Sequence, residues 1–438
     1  MNVIAAPSAV LLDGWRDPEA VFRGGPAQHP HAFWLDAGPA SDAGWSWLGI
    51  GVPEADPTRV SAVRCARERA DAASGPFRGG WVGWLGYEGG AARAGAPVAA
   101  GDPRAPQELW LRVDRFVAFD HAARAVWAVA PEGEVAAYAE TVMTWADAAA
   151  SGPQPVRIAA GEAEARHTPA EYAALVSRCR DAIREGDAYQ LCLTTRFSVT
   201  GDVDPVASFL ALRAATPAHH AGFIRSGDVA LASASPEQFL AVEAGRVRTR
   251  PIKGTRPRSA DAAADVALAD ELLASAKERA ENVMIVDLMR NDLSRVCEPG
   301  SVAVTELFAV ESYPAVHQLV SAVAGTLQPG TTVGDLLDAT FPAGSMTGAP
   351  KLSAMTLLHG LEGAPRGVFA GCFGWVGDDG ALDLAMVIRS IVTYPGGAFV
   401  GAGGGITWGS DPAAEVAEVG IKARGPLTAL GAALPAGW

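Results

Sequence analysis

At 438 residues and 45.2 kDa the chain can bury a sizeable core as one large fold or as two or three domains, and 19% charged against 49% apolar residues favours a globular enzyme over a disordered or fibrous protein. The net charge of -14 comes without a run of Lys and Arg that could track a phosphate backbone, so nucleic acid is not an expected partner, and an anionic ligand must be met by placed cations or a metal. Five dispersed cysteines without a CxxC pair disfavour structural zinc and a disulfide framework, and the absence of a leader pattern or a long apolar run predicts a cytoplasmic protein with no membrane partner.

Residues 1–155 are rich in Trp, Gly and Ala and end in the linker-like Ser151-Gly152-Pro153-Gln154-Pro155, which predicts a boundary near 155; the regions 1–155 and 156–438 are nevertheless expected to be intertwined in one fold. Thr168, Pro169 and Glu171 then form a capping box, Tyr172, Leu175, Val176, Cys179 and Ile183 an apolar stripe, and Gly186 a stop, which together predict a helix. Tyr189 to Phe197 alternates as a strand, with Leu191, Leu193 and Phe197 on one face and Gln190, Cys192 and Arg196 on the other. Asp204-Pro205 caps a second helix that Thr216-Pro217 ends, and 222–250 reads as strands turned at Ser226-Gly227 and Ala244-Gly245. Helices mixed with antiparallel hairpins define an α+β pattern. One internal echo, GGWVGWLGYEGG at 79–90 and AGCFGWVGDDG at 370–380, reads either as a duplicated sheet motif or as two unrelated glycine-rich strands.

Five stretches carry candidate chemistry. In PIKGTRPR, Pro251 ends backbone pairing, Gly254 permits a sharp turn, and Lys253 at the corner is either a solvated surface group or a desolvated amine able to attack carbon. In ERAENVMIVDLMRNDLSRV, Glu281 shares the helical stripe of Ile285 and Leu288, so it needs a partner: Lys277, Arg290 or a metal. FPAGSMTGAPKLSAM is not a Walker pattern, but Ser345, Thr347 and the helix starting near Pro350 are suited to a carboxylate. LDLAMVIRSIVTY reads as one strand apolar on both faces, in which Arg389 is a buried cation requiring an anion. In GAGGGITWGSDPAAEVAEVGIKARG, Glu415, Glu418 and Lys422 follow a glycine loop on one helical face, where backbone N–H groups can approach an anion.

Together with ASPEQF at 234–239 and HQLVS, these stretches resemble, in order and over about 165–425, the motifs of the chorismate-utilising synthases, which include anthranilate, aminodeoxychorismate, isochorismate and salicylate synthases. The resemblance implies an α+β fold with two orthogonally packed antiparallel sheets flanked by helices, in four α/β/β/α layers. It implies chorismate as substrate and Mg2+ as cofactor, with Glu281, Glu418 and Glu415 at the metal. It further implies Gln190, Thr255, His317, Gly344, Ser345, Arg389, Gly403, Gly404 and Lys422 around the substrate, and Glu237 as the acid that protonates the departing C4 hydroxyl.

Within the family, isochorismate and salicylate synthases have a lysine where this chain has Gln190, and anthranilate synthases typically have alanine where it has Lys253. The pattern here is that of the aminodeoxychorismate synthases, in which the resemblance implies that Lys253 attacks C2 and ammonia then adds at C4. Anthranilate formation is the alternative. Ala370-Gly371-Cys372-Phe373-Gly374 is not a glutaminase G-x-C-x-G, so a separate glutamine amidotransferase subunit is the expected ammonia source. The LLDGW stretch corresponds to a region that helps hold tryptophan in related synthases, but Asp13-Gly14 stands where a serine is typical.

Overall fold

The computed structural model describes residues 7–39, 41–65, 74–148, 161–313 and 316–438. The linker signal at 151–155 lies outside them. Two large antiparallel sheets dominate, one of twelve strands and one of ten. Aromatic and aliphatic side chains from their facing surfaces, among them Phe33, Trp47, Phe77, Trp84, Phe239 and Trp375, form one shared core. A second core lies on the far face of the twelve-stranded sheet. There Phe22, Trp34, Tyr172, Phe209 and Val419 pack strands against the helices Pro169–Glu185, Pro205–Ala215 and Pro412–Ala429. The helix Ala276–Ser294 covers the ten-stranded sheet. The expected four layers of helix, sheet, sheet and helix are therefore present, and no helix among the described residues is long and apolar enough to cross a membrane.

Local chemistry accounts for the elements that hold the site. Thr168 accepts from the Glu171 N–H while the Glu171 side chain accepts from Thr168, and Gly186 ends that helix at φ +89°, a conformation glycine adopts without steric cost. Asp204 caps Pro205–Ala215 and Asp411 caps Pro412–Ala429, each with Pro at the first position. The strand Gln190–Thr200 turns Leu191, Leu193 and Phe197 toward the helices and Gln190, Cys192 and Arg196 the other way; all six are buried.

Strands from the first third of the chain lie inside both sheets. His31–Asp36 pairs with His220–Ser226, and Gly80–Leu85 pairs with Cys372–Gly377. The second pairing puts the two echoed glycine-rich segments side by side, with Gly83 opposite Gly374. A Cβ on Gly83 would lie 2.0 Å from the Leu109 carbonyl oxygen and one on Gly374 2.1 Å from that of Asp383, so close backbone approach requires both glycines.

Candidate functional site

The chain passes from one sheet to the other at two places that lie against each other. Val229–Ser235 belongs to the larger sheet and Gln238–Glu243 to the smaller, with Pro236-Glu237 between them. Leu382–Met386 belongs to the smaller and Ser390–Tyr394 to the larger, with Val387, Ile388 and Arg389 between. The Met386 N–H donates to the Glu237 carbonyl (3.1 Å) and the Ala234 N–H to the Arg389 carbonyl (3.2 Å), which stitches the two crossings together.

This corrects the sequence expectation of a single strand through Arg389. Arg389 has φ +51°, a left-handed conformation that interrupts the strand and sends the chain into the other sheet. It is half-buried, desolvation pushes its pKa down against the opposing charge of Glu418, and its guanidinium makes no ion pair or hydrogen bond among the described residues. A desolvated cation in that state is suited to an external anion.

Lys253 also differs from the expected strand-end corner. The strand Ile252–Pro257 pairs with Val316–Thr326 on both sides of a bulge between Ile252 and Thr255, and Lys253 and Gly254, the latter at φ +85°, make up that bulge. A Cβ on Gly254 would meet Leu272 at 2.8 Å and the Glu278 carboxylate at 3.0 Å, so the bulge is pressed against helices and admits only glycine. Lys253 itself is half-buried and, among the described residues, has no ion pair or hydrogen bond.

Across from it the Gln190 side chain is fully buried, and among the described residues neither its amide oxygen nor its nitrogen has a partner. Both reach one spot: a Cβ on Gly405 would lie 2.4 Å from Gln190 Nε2 and 3.5 Å from Lys253 Nζ. Gly405 therefore lets the Gln190 amide pack onto its backbone, with the Lys253 amine beside it.

Glu237, on the crossing, is near enough to Lys253 and Lys422 to feel their charges. Burial pushes its carboxyl above the usual range, opposed by a hydrogen bond with Ser345 and by the charges of Lys253 and Lys422. A carboxyl whose charged form burial disfavours is suited to donating a proton to a leaving group.

The helices contribute the opposing carboxylates. Glu281, on Ala276–Ser294, has its pKa raised chiefly by burial, and among the described residues its Oε1 has no hydrogen-bond partner, with Lys277 Nζ at 3.9 Å. The sequence alternative of an Arg290 partner is not realised, because Arg290 faces Asp287 at 3.4 Å. Glu415 is buried and its carboxyl is likewise raised by burial, against a hydrogen bond with Ser410. Burial also opposes ionisation of Glu418, but Lys422 at 2.6 Å, aided by Lys277 and Lys253, brings its pKa down overall.

Lys422 Nζ also donates to the Gly403 carbonyl at 2.9 Å, which ties the helix to the glycine strand. A Cβ on Gly404 would lie 2.9 Å from a Glu415 oxygen and 3.9 Å from a Glu418 oxygen, so both carboxylates face the backbone there. Oxygen donors of this kind, one of them buried without a partner, fit a hard divalent cation such as Mg2+. As they stand, among the described residues no three His, Cys, Asp or Glu side chains close around a common point, and lysines face two of the three glutamates.

The remaining expected residues divide. Ser345, in the short turn Gly344–Met346, lies near enough to Glu237 to favour its charged form. Gly344 lies beside it, where a Cβ would strike Leu288 at 2.4 Å, so its lack of a side chain is explained by the crossing helix. Thr347 turns its hydroxyl onto the Ala343 carbonyl (3.1 Å). Thr255 is exposed beyond the bulge. His317 is buried with both ring nitrogens occupied, Nδ1 by Ser312 Oγ (2.8 Å) and Nε2 by Asp265 Oδ1 (3.0 Å), so its ring is engaged by protein rather than by the Lys253 space.

Sequence reasoning passed over the residues that hold this frame. Asn282, next to Glu281, accepts from Ser321 Oγ at 2.6 Å, and the Ser321 N–H donates to the Pro251 carbonyl at 3.2 Å. That chain of contacts locks the carboxylate helix to the strand carrying Lys253. The signal was an unexplained Asn and Ser inside AENVMIVD and HQLVS, both of them buried.

Comparison with known proteins finds a family model, described as chorismate binding enzyme, that matches residues 40–428. An aminodeoxychorismate synthase of Streptomyces pristinaespiralis is 41% identical over 81% of this chain and 51% of its own length, so the chain spans about half of that relative. An anthranilate synthase component 1 of Streptomyces coelicolor is also 41% identical, over 81% of this chain and 73% of its own. Among solved structures, anthranilate synthase component I from Streptococcus pneumoniae superposes with a TM-score of 0.72 at 28% identity, covering 97% of this chain and 93% of that one.

Proposed function

We propose that this chain, which belongs to the chorismate-binding enzyme family, aminates chorismate at C4 to give 4-amino-4-deoxychorismate, as the large subunit of an aminodeoxychorismate synthase. The observation that carries the reading is the meeting of Lys253 Nζ and the Gln190 amide, unpartnered among the described residues, over Gly405, with the buried Glu237 carboxyl near enough to feel the Lys253 charge. Lys253 forms a bond to C2 of the ring as the double bonds shift and the C4–O bond breaks. Glu237 supplies the proton with which that oxygen leaves as water. Ammonia then adds at C4, the C2–N bond breaks, and Lys253 is released.

Arg389, Lys422 and the backbone at Gly403 and Gly404 are the groups proposed to hold the substrate carboxylates, with Ser345 orienting Glu237. Mg2+, held by Glu281, Glu418 and Glu415, would offset the repulsion between an acidic protein and a dianionic substrate. Gln190 is an amide where a base that activates water would be needed for hydroxylation, which favours ammonia over water as nucleophile. The ammonia source is proposed to be a glutamine amidotransferase partner.

Anthranilate formation is the second reading, favoured by the similarity to the Streptomyces coelicolor and Streptococcus pneumoniae proteins. Incubation of the purified chain with chorismate, ammonium and Mg2+, followed by product analysis, decides between them. An aminated product that needs a separate lyase to become p-aminobenzoate supports the proposal. Anthranilate fluorescence with pyruvate release overturns it.

A further inference from the structure

The core holds a buried ion pair between Arg366 and Glu362. Arg366 is 3% exposed and directs its guanidinium at four acceptors. Nε and Nη2 donate to the two carboxylate oxygens of Glu362 at 2.8 and 2.7 Å, Nη1 donates to the Met346 carbonyl at 2.7 Å, and Nη2 also donates to the Cys192 carbonyl at 2.8 Å. The Tyr87 ring stacks 4.2 Å away. Glu362 in turn accepts from the Thr194 N–H and hydroxyl, both at 2.9 Å. The Arg366 and Gly367 N–H groups are held by Glu88 at 2.5 and 3.0 Å.

The two carbonyls matter because of their neighbours. Met346 follows Ser345, whose hydroxyl lies near enough to the Glu237 carboxyl to favour its charged form, and Cys192 lies two residues from Gln190 on the same face of its strand. A buried ion pair is a weak source of stability compared with an apolar pair of equal volume, so its value is directional. A planar guanidinium with its donors in a fixed fork sets the separation of the groups it bridges, which an ammonium cannot reproduce.

We propose that Arg366 is a positioning residue: it fixes the turn carrying Ser345 against the strand carrying Gln190, and through Ser345 it aims Glu237 at the reacting carbon–oxygen bond. The inference rests on the role given to Glu237 above.

The test compares two identical substitutions in the full-length chain. Arg366→Lys keeps a cation facing Glu362 but cannot hold both carbonyls. Arg196→Lys is the control: Arg196 is equally buried, pairs with Asp102, and grips the Pro365 and Arg366 carbonyls at 3.3 and 3.0 Å without contact to Met346 or Cys192. With chorismate, ammonium and Mg2+, Arg366→Lys is expected to lower kcat about tenfold or more while KM for chorismate changes less than about threefold, because misplacement of the acid is felt in the transition state. Arg196→Lys is expected to lose Tm but keep kcat within about twofold.

Equal kcat in both variants, whether both fall or neither does, overturns the inference. Should Arg366→Lys fail to fold, Glu362→Gln, which loosens the guanidinium without removing it, is expected to lower kcat several-fold; unchanged kcat in that variant overturns the inference as well. The wild-type product is read in the same assay. If it is anthranilate, the functional reading fails, while the kcat comparison still decides the role of Arg366.

Discussion

The two sides of the site are built from different backbone. On one side Glu281, Glu415, Glu418 and Lys422 project from regular helices, where neighbouring turns fix their spacing. On the other, Glu237, Lys253 and Arg389 occupy two sheet crossings and a bulge, and Arg389 itself lies in the left-handed region. The helical side supplies charge that can be rearranged by small rotations. The irregular side supplies groups whose direction is set by tertiary structure, so it should tolerate conservative replacement poorly.

Substitutions can break or sharpen that contrast. Lys253→Ala is expected to abolish 4-amino-4-deoxychorismate formation in the ammonia assay with Tm retained; persistence of the product would remove the irregular side from the chemistry. Glu237→Gln should lower kcat by about 10²–10⁴, the range typical of a lost general acid. Because burial holds the Glu237 carboxyl above its ordinary value, wild-type kcat at fixed free ammonia should fall as pH rises past that raised value, and the variant should lose this limb.

Arg389→Lys, which keeps charge but not fork geometry, should raise KM for chorismate about tenfold by steady-state kinetics. On the helical side Glu415→Gln should act more mildly, raising the Mg2+ concentration for half-maximal rate about fivefold, with rate recovered at excess Mg2+. Failure of Mg2+ to rescue it would place Glu415 with the rigid group.

The smallest expected effect lies away from the site. Burial opposes ionisation of Asp102, but hydrogen bonds and charge from Arg104 and Arg196 hold its carboxyl well below the ordinary range. Its folded pKa is depressed, so its contribution is complete above the unfolded value of about 3.9 and is lost as pH falls further. Thermal melts should show a loss of stability below about pH 4 that Asp102→Asn reduces.

The same contrast explains what could be read from sequence. Glu415, Glu418 and Lys422 were legible because helical spacing is local, and the Thr168 capping box and Gly186 stop marked a helix boundary for the same reason. The crossing at Arg389 was not, since LDLAMVIRSIVTY has the apolar content of one strand and only pairing with two different sheets breaks it. Lys253 was visible by its motif but mistaken for a strand-end corner, because a bulge is defined by the partner strand 316–326. Arg366, Asn282 and Ser321 were invisible as positioning groups, because the groups they bridge to, beyond the neighbouring Glu362 of Arg366, lie 20 to 174 residues away. Sequence motifs also grouped His317 with the site, whereas Asp265 and Ser312 occupy its ring nitrogens.

The central claim is that Lys253 is the nucleophile, and intact-protein mass spectrometry tests it most directly. With chorismate and Mg2+ but no ammonia, wild type should accumulate an adduct of chorismate less one water, mapped to the peptide containing Lys253 and discharged when ammonium is added. Turnover of wild type with no such adduct, or the same adduct on Lys253→Ala, would contradict the account.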